Sequence, residues 1–190
     1  MVSLFSLWLS ILLSAVFVFL ISVVTHMILP YHRNDYEKIP FEDEVMEALG
    51  KVGIPPGNYM MPFYGSSEAI RDPKFIAKME KGPVAFMTVS KPGKPQMWIS
   101  LELWFIYNLI VSIFAAYIAG RAVRPGAPFG QVFRFTFVVA FAGYSLALMY
   151  NSIWYKIKWS TTFKLMFDGL IYAIITGLTF GWLWPKIISI

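Results

Sequence analysis

Four long apolar runs organise this chain, and polar residues collect almost entirely in one place between them. Residues 4–29 contain no Asp, Glu, Lys or Arg, and residues 99–120 contain only Glu102. Residues 129–153 contain only Arg134, and residues 163–184 only Lys164 and Asp168. A helix rises 1.5 Å per residue, so about 20 apolar residues cross the roughly 30 Å hydrocarbon core of a bilayer. Each run is long enough. Pro30, Gly120-Arg121, Arg124-Pro125-Gly126 and Pro185-Lys186 supply the stops. The first run is too long for a signal-peptide core and has no basic stretch before it, so it is expected to be a retained helix. Trp98, Trp104, Trp154, Tyr155, Trp159, Trp182 and Trp184 sit at run ends, where an aromatic belt meets headgroups.

The segment 30–98 has a different texture, closer to that of a small globular lobe. Pro40-Phe41-Glu42-Asp43-Glu44 opens a helix with acids at its positive dipole end, and Gly50 is expected to close it. Asp72-Pro73 is an N-cap and first-turn pair for a second helix carrying Phe75, Ile76 and Met79, with Gly82 as terminator. Residues 58–63 and 84–89 read as two short strands that pair. The lobe is too short for a robust core of its own and is expected to rest on the membrane surface or on helix ends. The predicted fold is therefore an all-α membrane protein, with four transmembrane helices (residues 1–29 and 99–190) and a small α+β extramembrane lobe (residues 30–98) between helices one and two.

Composition agrees. The 190 residues are 57% hydrophobic and 14% charged, against about 25% charged in a soluble domain. Nine of the sixteen Lys/Arg and nine of the eleven Asp/Glu lie between Pro30 and Trp98. The lobe is thus neutral, and the net charge of +5 resides beside the apolar runs, where basic side chains meet lipid headgroups. No basic face suited to nucleic acid emerges. The absence of cysteine excludes disulfides, thiolate metal sites and Cys nucleophiles. Basic residues are nearly balanced between the two sides of a four-span topology, so charge alone leaves orientation open.

Spacing within the runs points to close helix packing. Gly169, Ala173, Gly177 and Gly181 recur every four residues and form one small-residue face, a device for tight packing in lipid. Similar faces are Ser112, Ala116 and Gly120; Ser6, Ser10, Ser14, Ser22 and His26; and Gly143, Ala147 and Asn151. These faces serve packing inside the bundle or, on the alternative reading, docking of another protein.

Polar groups within apolar runs are costly and mark candidate functional sites. His26, Glu102, Asn108, Asn151, Lys164 and Asp168 all fall in the half of the bundle nearest the lobe. Lys164, four residues before Asp168, is the expected counter-ion, whereas Arg134 lies at the far end of its helix. These groups form a helix-entry network, or else a small polar cavity handling a proton, an ion or a headgroup. One His and two carboxylates on three helices suit a metal in principle, but the spacing matches no metal motif, so no metal and no cofactor are expected. His32 with Met60-Met61 suggests copper only by residue type. In the lobe, Gly57, Asn58, Tyr59 and Pro62 are a candidate binding surface, or simply a strand entering a turn. No phosphate loop, nucleophile elbow or His-Glu-x-x-His is present.

The order of four short motifs resembles a family of small, uncharacterised bacterial integral membrane proteins. They are His26-Met27-Ile28-Leu29-Pro30, Ile39-Pro40-Phe41-Glu42-Asp43-Glu44, Pro56-Gly57-Asn58-Tyr59-Met60-Met61-Pro62 and Lys81-Gly82-Pro83. The resemblance implies a helical inner-membrane protein, with a cytoplasmic N-terminus and a lobe outside the cytoplasm. It transfers no catalytic residue. Members of the family tend to begin with basic residues, which this chain lacks. Three functions remain in view. The first is a non-enzymatic accessory subunit that contacts lipid and other membrane subunits or its own copies. The second is a small carrier or proton- or ion-handling protein, and the third an enzyme acting on lipid.

Overall fold

The computed structural model describes residues 1–186. Four helical stretches have the length and apolar composition to cross a membrane: Leu4–Ile28, Met97–Ala122, Phe129–Tyr155 and Trp159–Trp182. They are what a multi-pass membrane protein requires. Their regular parts are α1 (Trp8–Val23), α4 (Met97–Ala122), α5 (Phe129–Tyr144), α6 (Met149–Tyr155) and α7 (Trp159–Trp182). Between them lie α2 (Glu42–Val52), β1 (Gly57–Met61), α3 (Pro73–Lys81) and β2 (Ala85–Val89). The chain divides into two compact units, one of Met1–Tyr36 with Gln96 onward, the other of Glu37–Pro95. Residues 30–36 thus belong with the helices.

The helical unit is held by small side chains and interior hydrogen bonds. Ala15, Ala115, Ala116, Ala119, Ala140 and Ala173 are all fully buried, which lets helix backbones approach closely. The Ser14 and Ser112 hydroxyls meet at 2.7 Å across α1 and α4, and Ser152 meets Thr162 at 2.6 Å. The small face of α7 lies inside the bundle against α5. A side chain added at Gly169 would place Cβ 2.8 Å from the Tyr144 carbonyl oxygen, and one at Gly177 would meet the Phe133 ring at 2.7 Å. Ser112, Ala116 and Gly120 are buried as well, whereas Gly143 and Ala147 are exposed. On α1 the buried face runs Ser10, Ser14, Val18 and Ser22, then moves to Thr25. Steps of four drift against a 3.6-residue turn, and the π turn Val24–Ile28 shifts the phase further.

Three details depart from the sequence reading. The third run breaks after Tyr144: Ser145 leaves helical geometry, and a 3₁₀ turn over Leu146–Leu148 precedes α6. Gly143 and Ser145 are a pairing at which helices kink, and the Ser145 hydroxyl donates to the Met166 carbonyl at 3.0 Å. Trp104 and Trp184 are interior anchors instead of belt residues. Their indole N–H groups donate to the Ser22 hydroxyl and the Arg124 carbonyl, both at 2.9 Å. Trp98, Trp154, Trp159 and Trp182 are exposed, as a belt needs.

In the second unit, β1 and β2 pair antiparallel with Tyr59 opposite Met87. Asp72 caps α3 by accepting from the Lys74 N–H at 2.8 Å, with Pro73 in the first turn. Helix α2 passes through Gly50 and closes at Gly53, whose φ of +67° takes the left-handed conformation open to glycine. The reason is local, since Val52 still has helical partners and Gly53 satisfies the Leu49 carbonyl. Among the described residues, none between Glu37 and Pro95 is fully buried. That fits the expectation that so short a segment lacks a robust core.

Candidate functional site

A network of ionisable side chains closes one end of the helical unit. It forms because the chain turns sharply after the first span. The π turn Val24–Ile28 ends as the Leu29 N–H donates to the Val24 carbonyl, and Pro30 starts a single 3₁₀ turn over Pro30–His32. The Asp35 N–H then donates to the His32 carbonyl, which folds residues 31–35 back over the bundle. Opposite them stands one face of α7. Lys164, Asp168, Tyr172 and Thr176 are four residues apart, so they stack in a stripe beside the small-residue face.

The stripe pairs step by step with the first-span end. Lys164 Nζ donates to Asp35 Oδ1 at 2.8 Å. The Tyr31 hydroxyl donates to Asp168 Oδ1. His32 Nε2 is hydrogen-bonded to Asp168 Oδ2 at 2.7 Å, and its Nδ1 to Asp35 Oδ2 at 2.5 Å. His26 Nε2 lies 3.7 Å from Asp168 Oδ2. One turn deeper, the Tyr172 and Thr25 hydroxyls are 3.0 Å apart. Asp168 is 1% exposed and His26 40%, so the network runs from the interior to an accessible imidazole.

Electrostatics follow from these contacts. Burial alone raises the Asp35 carboxyl, but hydrogen bonds from Lys164 and His32 outweigh it and hold the group below the usual carboxylate range. Burial, with the hydrogen bond to Asp168 second, pushes the Tyr31 phenol above its ordinary value and keeps it a donor. A carboxyl depressed in the folded state contributes stability that is present above its unfolded pKa, about 4, and lost as pH falls through the folded value. The protein should therefore lose thermal stability on acidification from about pH 5 to below about pH 3. Asp35→Asn should be less stable at neutral pH and show a shallower acid loss. Equal pH slopes for the two proteins, measured by thermal unfolding in detergent, would remove Asp35 from this account.

Of the six polar residues singled out from sequence, the structure brings His26, Lys164 and Asp168 into one network. Lys164 is not the partner of Asp168, however. It reaches Asp35, because residues 31–35 insert their own donors over the carboxylate. Glu102 faces outward on α4. The Asn151 carbonyl accepts from the Ile157 N–H at 3.4 Å near the end of α6. Asn108 is fully buried one turn from Ser112, and its side-chain amide has no hydrogen-bond partner among the described residues. Tyr31 and Asp35 were missed as site residues, since they lie beyond the apolar run, and His32 was weighed only beside Met60-Met61. A usable signal was present: the chain has two histidines, six residues apart, and both flank the end of the first span.

The lobe residues lie in and beside the β hairpin. Gly57, Asn58 and Tyr59 lie in β1, where Asn58 accepts from the Thr88 hydroxyl at 3.0 Å. The Tyr59 hydroxyl donates to the Pro55 carbonyl at 2.7 Å, and Pro62 follows the strand. Fold and network together are those of a mostly helical protein with four stretches long and apolar enough to cross a membrane, as in a multi-pass membrane protein, and an ionisable cluster at one end of its helices. No family model, curated protein or solved structure matches the chain.

Proposed function

We propose that this is a cation-handling membrane protein, a small carrier or ion-handling subunit whose working group is the Asp168 carboxylate. One observation carries the reading. A carboxylate that is 1% exposed receives Tyr31 and His32, while a second, half-exposed histidine lies within 3.7 Å of it. Packing alone requires no such concentration of ionisable groups, and buried ionisable groups in membrane helices are costly enough to suggest function. The accessory-subunit reading draws less support, because the small-residue face of α7 is occupied by α5. We place the protein in a bacterial inner membrane with residues 37–95 outside the cytoplasm, in keeping with the family resemblance in the motif order.

Reconstituted in lipid vesicles, the chain is expected to pass protons or metal ions down an imposed gradient faster than protein-free vesicles. Asp168→Asn should cut that rate at least tenfold while retaining the wild-type circular dichroism. Rates equal to empty vesicles, in both acid-loaded and metal-loaded preparations, would reject the reading.

A further inference from the structure

We infer that His26, His32 and Asp168 form a binding site for a divalent late transition metal, with Asp35 as the carboxylate that orients His32. The inference rests on the cation-handling reading and names the ion class.

One ligand atom from each of the three side chains lies within 4.8 Å of the other two. A tetrahedral zinc site with metal–nitrogen bonds near 2.0–2.1 Å separates its ligand atoms by about 3.3 Å. Here His32 Nε2 and Asp168 Oδ2 are 2.7 Å apart, and His26 Nε2 and Asp168 Oδ2 are 3.7 Å apart. Both separations are within about 1 Å of what zinc needs. The rings of His26 and His32 lie side by side, tilted by 33° with centroids 4.4 Å apart, and both imidazoles reach the same carboxylate oxygen.

The surroundings supply a supporting shell. A metal-bound histidine ordinarily donates its other ring N–H to a carboxylate or carbonyl, which fixes the tautomer and raises ligand basicity. His32 Nδ1 lies 2.5 Å from Asp35 Oδ2, so the tautomer with its proton on Nδ1 leaves Nε2 for the metal. Asp35 is itself held by Lys164, which offsets its charge. Asp168 keeps the Tyr31 hydroxyl on its other oxygen. Two imidazoles and one carboxylate favour zinc and its neighbours over magnesium or calcium, which prefer all-oxygen shells. Three protein ligands leave a fourth position open for water or a transported ligand. The exposed side of His26 provides entry.

The test uses the full chain in detergent, stripped with a chelator and titrated with Zn²⁺. Wild type is expected to bind one Zn²⁺ per chain at micromolar or lower concentration and to ignore Mg²⁺. His26→Ala and His32→Ala should each weaken binding at least 100-fold. Asp35→Asn, which removes no ligand, should weaken it about 10- to 100-fold, and Glu47→Gln in the lobe should leave it unchanged. The wild-type stoichiometry and the Asp35 variant keep the test decisive if a ligand variant fails to fold. Absence of binding below 100-fold higher Zn²⁺, or equal binding by wild type and His26→Ala, would overturn the site. Zn²⁺ binding without cation flux in vesicles leaves the metal site standing and rejects the carrier. Proton flux without Zn²⁺ binding does the reverse.

Discussion

Asp168→Ala should lower the unfolding free energy of the protein by about 3–5 kcal/mol. Asp168 is the carboxylate on which the Tyr31 hydroxyl and His32 Nε2 converge, and it faces His26 at 3.7 Å. Truncation leaves these groups in a site too buried for water to replace the carboxylate fully. The cost of removing one partner of a buried charged network exceeds the net worth of the intact pair, because the survivors stay desolvated. Asp168→Asn retains an acceptor oxygen and should cost less, about 1–3 kcal/mol. Glu102→Ala removes the same charge from an exposed helix face and should stay within about 0.5 kcal/mol. Reversible unfolding in mixed micelles would measure all three. An alanine variant within about 0.5 kcal/mol of wild type, the range of ordinary surface substitutions, would show that the network does not hold the helix ends together.

Gly169→Ala carries the second largest effect, by a different mechanism. The added Cβ would lie 2.8 Å from the Tyr144 carbonyl oxygen and would overlap the Ser145 hydroxyl. That oxygen is backbone, so it cannot swing aside as a side chain would. Relief requires α5 and α7 to separate where α5 ends and Ser145 reaches across to Met166. Overpacking of this kind typically costs about 1–3 kcal/mol, and Gly169→Leu should exceed that range. Gly130→Ala is the matched control, since among the described residues no atom outside its own stretch of helix lies within 4 Å of its added Cβ. Helix propensity alone favours alanine at both positions. If Gly169→Ala unfolds at or above the wild-type temperature, the close approach of the two helices is wrong.

The four spans were legible because their signal is additive. Twenty-odd residues with at most two charges report on solvent environment, whatever their neighbours in space. The capping of α3 by Asp72-Pro73 and the two strands were legible for a related reason, since caps and turns are set within a few residues. Gly50 misled because a glycine can also continue a helix, and only the αL geometry at Gly53 marks the true end. The break after Tyr144 was hidden because Ser145 is stabilised by a residue 21 positions away.

The candidate site shows the same division at finer scale. Asp168 and His26 could be singled out from the chain alone, because a charge or imidazole in an apolar run is conspicuous. Their partners could not. Spacing along α7 puts Lys164 and Asp168 on one face, and within a single helix that makes them each other's natural partner. Only the fold back of residues 31–35 lets Tyr31 and His32 take Asp168 and leaves Lys164 to Asp35.

The order of residues by itself thus determined where the chain is apolar enough for a membrane and which helix faces are narrow. It also determined which polar side chains stand out. Tertiary structure decided which of those side chains meet, since hydrogen bonds and ion pairs act over about 3 Å while hydropathy is averaged over whole helices. Where distance decides chemistry, the partner comes from the fold.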